Sequence, residues 1–160
     1  TCVGRLDQET SGLLIFTTDG RLNHILTDPT YAISKTYLVR LENSLTLTQK
    51  NAIEAGIAIE LEEEGIITKY NTKPCQIKML NPSNLEITIY EGKKREIRRI
   101  FAAIDNFVLD LVRTKIGSLQ LKKEVPKVGT IKYVTKEYIL NNVLPLKTTI
   151  YTKQYSQFSP

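Results

Sequence analysis

"VGRLDQETSGLLIFTTDG", residues 3–20, runs a charged, turn-rich segment straight into an apolar one. Gly4, Arg5, Asp7, Glu9, Ser11 and Gly12 precede Leu13, Leu14, Ile15 and Phe16. Residues 13–17 read as a short buried strand, closed by Thr18, Asp19 and Gly20. An Asp in a glycine-flanked loop can act as a nucleophile only if it is ionised and sterically open. A neighbouring Arg would keep it ionised by lowering its pKa. The pattern alone leaves three roles open for Asp7: nucleophile, partner in a structural salt bridge, or turn residue. Local physics ranks the two structural roles first.

Working outward, residues 21–26 read as a short helix with Leu22, Ile25 and Leu26 on one face, ended by Asp28 and Pro29. "KTYLVRL", residues 35–41, alternates as a strand: Tyr37, Val39 and Leu41 share one face, Thr36, Leu38 and Arg40 the other. Residues 47–55 read as a helix stopped by Gly56. Residues 62–65 form an acidic, solvated turn, and 85–90 another strand. Residues 107–112 and 116–121 read as two further strands, with Gly117 as a bulge. Residues 135–144 read as a helix that Thr135 can cap. Strands and helices mix without a strict βαβ alternation. That predicts an α+β domain with a mixed, mainly antiparallel sheet flanked by helices. The polar, Tyr-dotted stretch 145–160 has no clear period and reads as a C-terminal tail.

The chain has 160 residues, of which 41% are hydrophobic, enough for one domain with a real core. Its net charge of +5 points to an anionic partner, nucleic acid first. Two distant cysteines, Cys2 and Cys75, make no disulfide framework or zinc spacing, and His24 alone makes no metal site. No apolar run is long enough to span a membrane and no signal peptide is visible, so a reduced, cytoplasmic setting is expected. The first residue is Thr1 rather than Met, which suits a fragment or a processed product.

In "EGKKREIRRIFAAI", residues 91–104, the residues Ile97, Ile100, Phe101 and Ile104 follow the i, i+3, i+4, i+7 spacing of a helix core face. Successive residues turn by about 100°, so Arg95 and Arg99 point away from the core. Arg98 falls on the flank, where a partly buried guanidinium needs a partner. Asp7 is the natural candidate.

These segments carry a resemblance. "GRLDQETSGLLIFTTDGRL" resembles the central motif of the RNA pseudouridine synthases, and most closely their RsuA-like family, which acts on single uridines of ribosomal RNA. "KTYLVRL" resembles that family's second signature, which carries an active-site tyrosine. "EGKKREIRRIFAAI" resembles its third, usually written Gly-Arg-Asn-Arg-Gln-Val-Arg-Arg-Met. "VLDLVRTKIGSLQL" resembles the strand pair that follows. The four matches occur in the family's order and cover most of residues 3–121.

The resemblance implies the pseudouridine synthase fold over residues 1–144 and isomerisation of a uridine in ribosomal RNA. It needs neither cofactor nor metal, and a monomer is expected. It implies Asp7 as the catalytic aspartate, Tyr37 stacking on the target base, and Arg98 pairing with Asp7. Arg5 would hold open the space left by the flipped nucleotide, and Leu111 would line the base pocket. Lys93, Lys94, Arg95, Arg99 and Arg113 would face phosphate. The chain departs from the pattern at Lys93 and Lys94, where Arg-Asn is usual, and at Ile100, where Met is. Glu96 stands where Gln is usual and would add a negative charge near the RNA. The family's Asn-Lys-Pro strand motif and small RNA-binding S4 domain are also missing before Gly4. These departures keep a second expectation alongside the first: an inactive RNA-binding module on the same scaffold.

Overall fold

The computed structural model describes residues 1–144; the tail read over 145–160 lies outside the described residues. The chain opens with β1 (Cys2–Val3), β2 (Ser11–Gly12) and β3 (Ile15–Phe16). The single strand expected over 13–17 is therefore split. Residues 11–12 pair parallel with a distant strand, while 15–16 pair antiparallel with β1. The chain changes partner at Leu13 and Leu14, and Phe16 ends up on the surface.

Helix α1 (Gly20–Thr27) follows, its first turn capped by the Asp19 carboxylate, which accepts from the Arg21 and Leu22 amides. It buries Leu22, Ile25 and Leu26, the face expected from their spacing. A short 3-10 turn at Pro29–Tyr31 leads into β4 (Lys35–Leu41), and α2 (Leu47–Ala55) then ends at Gly56. β5 (Ala58–Glu63) and β6 (Ile66–Asn71) form a hairpin of their own, followed by β7 (Gln76–Met79) and β8 (Asn84–Ile89). Helix α3 (Glu96–Ala102) precedes β9 (Val108–Ile116) and β10 (Leu119–Gln120). Residues 107–121 are thus one long strand and a short return. Gly117 is not a bulge: at φ +55° it sits in the two-residue turn between them. A single turn, α4 (Leu121–Glu124), and α5 (Lys136–Val143) finish the described chain, and Thr135 caps α5 through the Tyr138 amide.

The central sheet runs β10-β9-β4-β8-β7, with β2 added beside β9. All its pairs are antiparallel except β2–β9. Two apolar clusters hold it. One packs α2 and α3 on β4, β7, β8 and β9 through residues such as Val39, Ile53, Leu85, Ile87, Ile100 and Phe101. The other packs α1 and α5 on the short N-terminal strands and the far end of β9, through Leu13, Ile25, Ile116 and Val143. Each fully buried Leu, Ile or Phe contributes about 1.5–3 kcal/mol before entropy is charged against it. Strand β9 belongs to both clusters: Leu111 packs in the first and Ile116 in the second. Among the described residues, no helix is long and apolar enough to cross a membrane.

Candidate active site

The loop between β1 and β2 carries Arg5 and Asp7. Gly4 enters it with φ +61°, and the Asp7 carbonyl accepts from the Thr10 amide at 2.9 Å, closing a turn. Leu6 packs on the first apolar cluster and so anchors the loop from below. Asp7 is half-buried and lines a cavity of about 720 Å³. Tyr37 of β4, Leu111 and Arg113 of β9, Arg5, and residues 91–97 line the same cavity. Tyr37 lies opposite Arg113 in the β4–β9 ladder, and the register slips there, leaving Thr114 as the extra residue. Such bulges re-aim side chains beside functional sites.

The expected ion pair between Asp7 and Arg98 is not formed. Arg98 donates instead to two backbone carbonyls, Glu9 at 3.0 Å and Val108 at 3.2 Å. It lies behind the loop and not in the cavity wall, and ties helix α3 to the loop that presents Asp7. The helix-phase argument placed Arg98 correctly on a flank; the acceptors that flank meets are main-chain oxygens. The Asp7 carboxylate makes no ion pair among the described residues, and its nearest influences are felt at Tyr37 and Arg95.

Three other expectations change. Arg113 does not face phosphate from outside: it is 1% exposed, and donates to the carbonyls of Leu13 at 2.8 Å and Gly4 at 3.3 Å. Arg95 pairs with Glu9 at 3.0 Å. Arg99 is half-buried and donates to the Lys94 carbonyl at 3.1 Å and to the Glu60 carbonyl on the β5–β6 hairpin. Helix α3 starts only at Glu96, after Arg95 in the left-handed region, so Lys93 and Lys94 lie on an exposed loop. The Lys93 ammonium sits 4.6 Å from the centre of the Tyr70 ring.

Glu96 does not put charge on the surface. It is 4% exposed, its carboxylate accepts from the Lys93 amide at 2.7 Å, and it shares a hydrogen bond with Glu91. Burial first, and then the neighbouring Glu91 charge, push its carboxyl up to about 7. Burial works against the Glu91 charge as well. The hydrogen bonds it accepts from the Tyr70 hydroxyl and the Lys73 amide, with that of Glu96, outweigh this and hold Glu91 below the usual carboxylate range. The pair therefore retains one proton well above the usual carboxylate range.

Burial pushes the Tyr37 phenol up, while the Arg113 guanidinium beside it pulls the other way. Burial also drives Lys35 below the usual lysine range, assisted by the Arg113 charge and opposed by Glu96. Sequence reasoning passed over Lys35, Glu91 and Tyr70. Lys35 was within reach: it stands two residues before Tyr37 on one strand, so strand alternation sends both side chains to the same face.

The family described as RNA pseudouridylate synthase matches residues 1–103. The ribosomal small subunit pseudouridine synthase A of Escherichia coli K12 is 33% identical over 140 residues, covering 88% of this chain and 58% of that protein. Its namesake in Haemophilus influenzae is 37% identical over 136 residues, covering 85% and 56%. The chain therefore spans somewhat over half the length of these relatives. A crystal structure of a pseudouridylate synthase superposes with a TM-score of 0.77 at 34% identity, over 89% of this chain and 59% of that one. A Cbf5-Nop10-Gar1 complex shares the fold at a TM-score of 0.53 and 15% identity.

Proposed function

The chain belongs to the RNA pseudouridylate synthase family, and from that premise we propose that it isomerises a uridine of ribosomal RNA to pseudouridine. Residues 1–144 are the catalytic domain in this reading. It acts in the cytoplasm as a monomer, with no cofactor. The relatives named for the ribosomal small subunit support that RNA as the substrate. The observation that carries the proposal is the placement of Asp7. It lines the same cavity as Tyr37 and Leu111, and no protein cation is paired to its carboxylate among the described residues. A nucleophile needs that combination of access and freedom.

The uridine must leave the stack to reach Asp7. Tyr37 supplies a buried aromatic face for the base and Leu111 an apolar wall. Exposed Arg5, two residues from Asp7, fills the place the nucleotide vacates. Asp7 then attacks, at C6 of the base or C1′ of the ribose. The N1–C1′ bond breaks, the base turns and C5 bonds to C1′. The bond to Asp7 breaks and returns the free carboxylate, the C5 proton leaves and N1 takes up a proton. Arg98 is a positioning residue in this scheme, because it touches the loop and not the cavity.

Asp7→Asn keeps the size of the side chain and removes its charge. With small-subunit ribosomal RNA tritiated at uridine C5, the wild type should release tritium and Asp7→Asn none, while both bind the RNA. Substantial release by the variant would remove Asp7 from the mechanism.

A further inference from the structure

Three of the cations that line the cavity are committed. Arg95 is paired with Glu9, Arg113 with two main-chain carbonyls, and Lys93 lies over Tyr70. Lys35 differs from these. It lines the cavity and is half-buried, and its side chain has no hydrogen bond or ion pair among the described residues. Its ammonium lies under the chain at Gly92, 3.6 Å from where a Cβ there would stand. Glu96 is close enough for its charge to be felt, but its carboxyl is already taken by the Lys93 amide and Glu91. Solvent still reaches the ammonium, which is not among the fully buried atoms that lack a partner, so a ligand oxygen entering the cavity can take the place of that water.

The position of Lys35 says which partner. The β4–β8 ladder runs without a slip from Lys35 to Arg40, so Lys35 and Tyr37 leave the strand on one face. Residues two apart on a strand are about 6.6 Å apart, which is within the reach of a lysine stem. A base lying against Tyr37 therefore brings its nucleotide oxygens to the Lys35 ammonium. We propose that Lys35 contacts the substrate directly, donating a hydrogen bond to an acceptor oxygen of the nucleotide held against Tyr37. The oxygen is a uracil carbonyl or a phosphate oxygen of that nucleotide; either is an acceptor for an ammonium that has no protein partner. This assignment rests on the isomerase reading above.

Lys35→Met keeps the stem and removes the donor. The full chain is assayed with a transcript of bacterial small-subunit ribosomal RNA tritiated at uridine C5, for single-turnover rate at saturating RNA and for affinity against salt. Contact with a uracil carbonyl predicts a rate loss of about tenfold or more, the worth of a hydrogen bond to a charged group, with the salt slope unchanged. Contact with phosphate predicts weaker binding and a log–log salt slope lower by roughly one unit. Rate, affinity and slope all within twofold of wild type would overturn the assignment while leaving the isomerase reading intact. A wild-type chain that releases no tritium overturns that reading instead, and Lys35 is then judged on affinity and slope. If Lys35→Met fails to fold by circular dichroism, Lys35→Gln takes its place in both measurements. A Gln variant indistinguishable from wild type counts against the proposal in the same way.

Discussion

Glu91 and Glu96 place two carboxyls side by side in the cavity wall, and the proton they share gives the molecule a pH signature. Glu96 titrates near 7 when folded and near 4.5 in a free chain. Between those values the folded state holds a proton that the unfolded state has released. Stability must therefore fall as pH rises through that window and level off above it. Glu91 is shifted the other way, so its contribution is lost only below the ordinary carboxylate range and does not overlap. The charges that act on Glu96 are those of Glu91 and Lys35, while the neighbouring Tyr37, Tyr70 and Cys75 are neutral in this window. In Glu96→Gln the amide can donate to Glu91 and accept from the Lys93 amide without a titrating proton. Thermal melts should show the wild-type midpoint falling from about pH 4.5 to about pH 7, and a flatter profile in Glu96→Gln. An equal slope in both would assign the proton elsewhere. This also accounts for Gln as the usual residue at this point of the resembling signature: both side chains make the same two contacts. Sequence alone showed a charge out of pattern. It could not show that the charge is buried, because burial here depends on Glu91 and on Tyr70 from a separate hairpin.

At the scale of elements, β9 organises the site, and Gly12 lets it do so. Strand β2 approaches β9 so closely that a Cβ on Gly12 would stand 2.2 Å from the Arg113 carbonyl oxygen, at a φ of +120°. Gly12→Ala must therefore strain the backbone, at a cost on the order of 1–3 kcal/mol, and also push β2 off β9. The Arg113 contacts to Leu13 and Gly4, which hold both ends of the Asp7 loop, go with it. Gly4→Ala meets nothing within 4 Å and pays strain alone. Chemical denaturation should rank Gly12→Ala clearly below Gly4→Ala in stability, and tritium release should fall in the same order. Equal midpoints would mean that the β2–β9 approach does not hold the loop. Elements with clean periodicity were legible from sequence: β4 and α2 have the bounds their patterns predict, and α1 buries the face its spacing selects. The β5–β6 hairpin was missed except for its turn. Most of its residues are exposed on both faces, so there is no apolar alternation to read. The split at residues 13–14 was missed because a change of strand partner leaves no local pattern.

Across the whole molecule, two apolar clusters meet along β9, and the cavity lies where they meet, with cations of two kinds in and behind its wall. One kind is spent on the protein. Arg99 latches α3 to the β5–β6 hairpin through the Glu60 carbonyl, and Arg98 latches α3 to the Asp7 loop. The other kind is unspent: Lys94 is exposed and makes no ion pair or side-chain hydrogen bond among the described residues. Helical phase alone had grouped Arg95 and Arg99 as outward phosphate contacts, since it cannot see a hairpin folding back over the helix. The two kinds should separate in one pair of measurements. Lys94→Ala removes a charge free to meet phosphate, so the log–log salt dependence of RNA binding should flatten by roughly one unit with the melting midpoint unchanged. Arg99→Ala removes a latch with two main-chain acceptors, so the midpoint should drop while the salt slope stays within error of wild type. Each net hydrogen bond is worth about 1 kcal/mol, more from a charged donor, and a loss of that size is measurable by denaturation. If Arg99→Ala flattens the slope and leaves the midpoint alone, Arg99 leaves Glu60 for phosphate when RNA binds, and the hairpin is held by its apolar contacts instead.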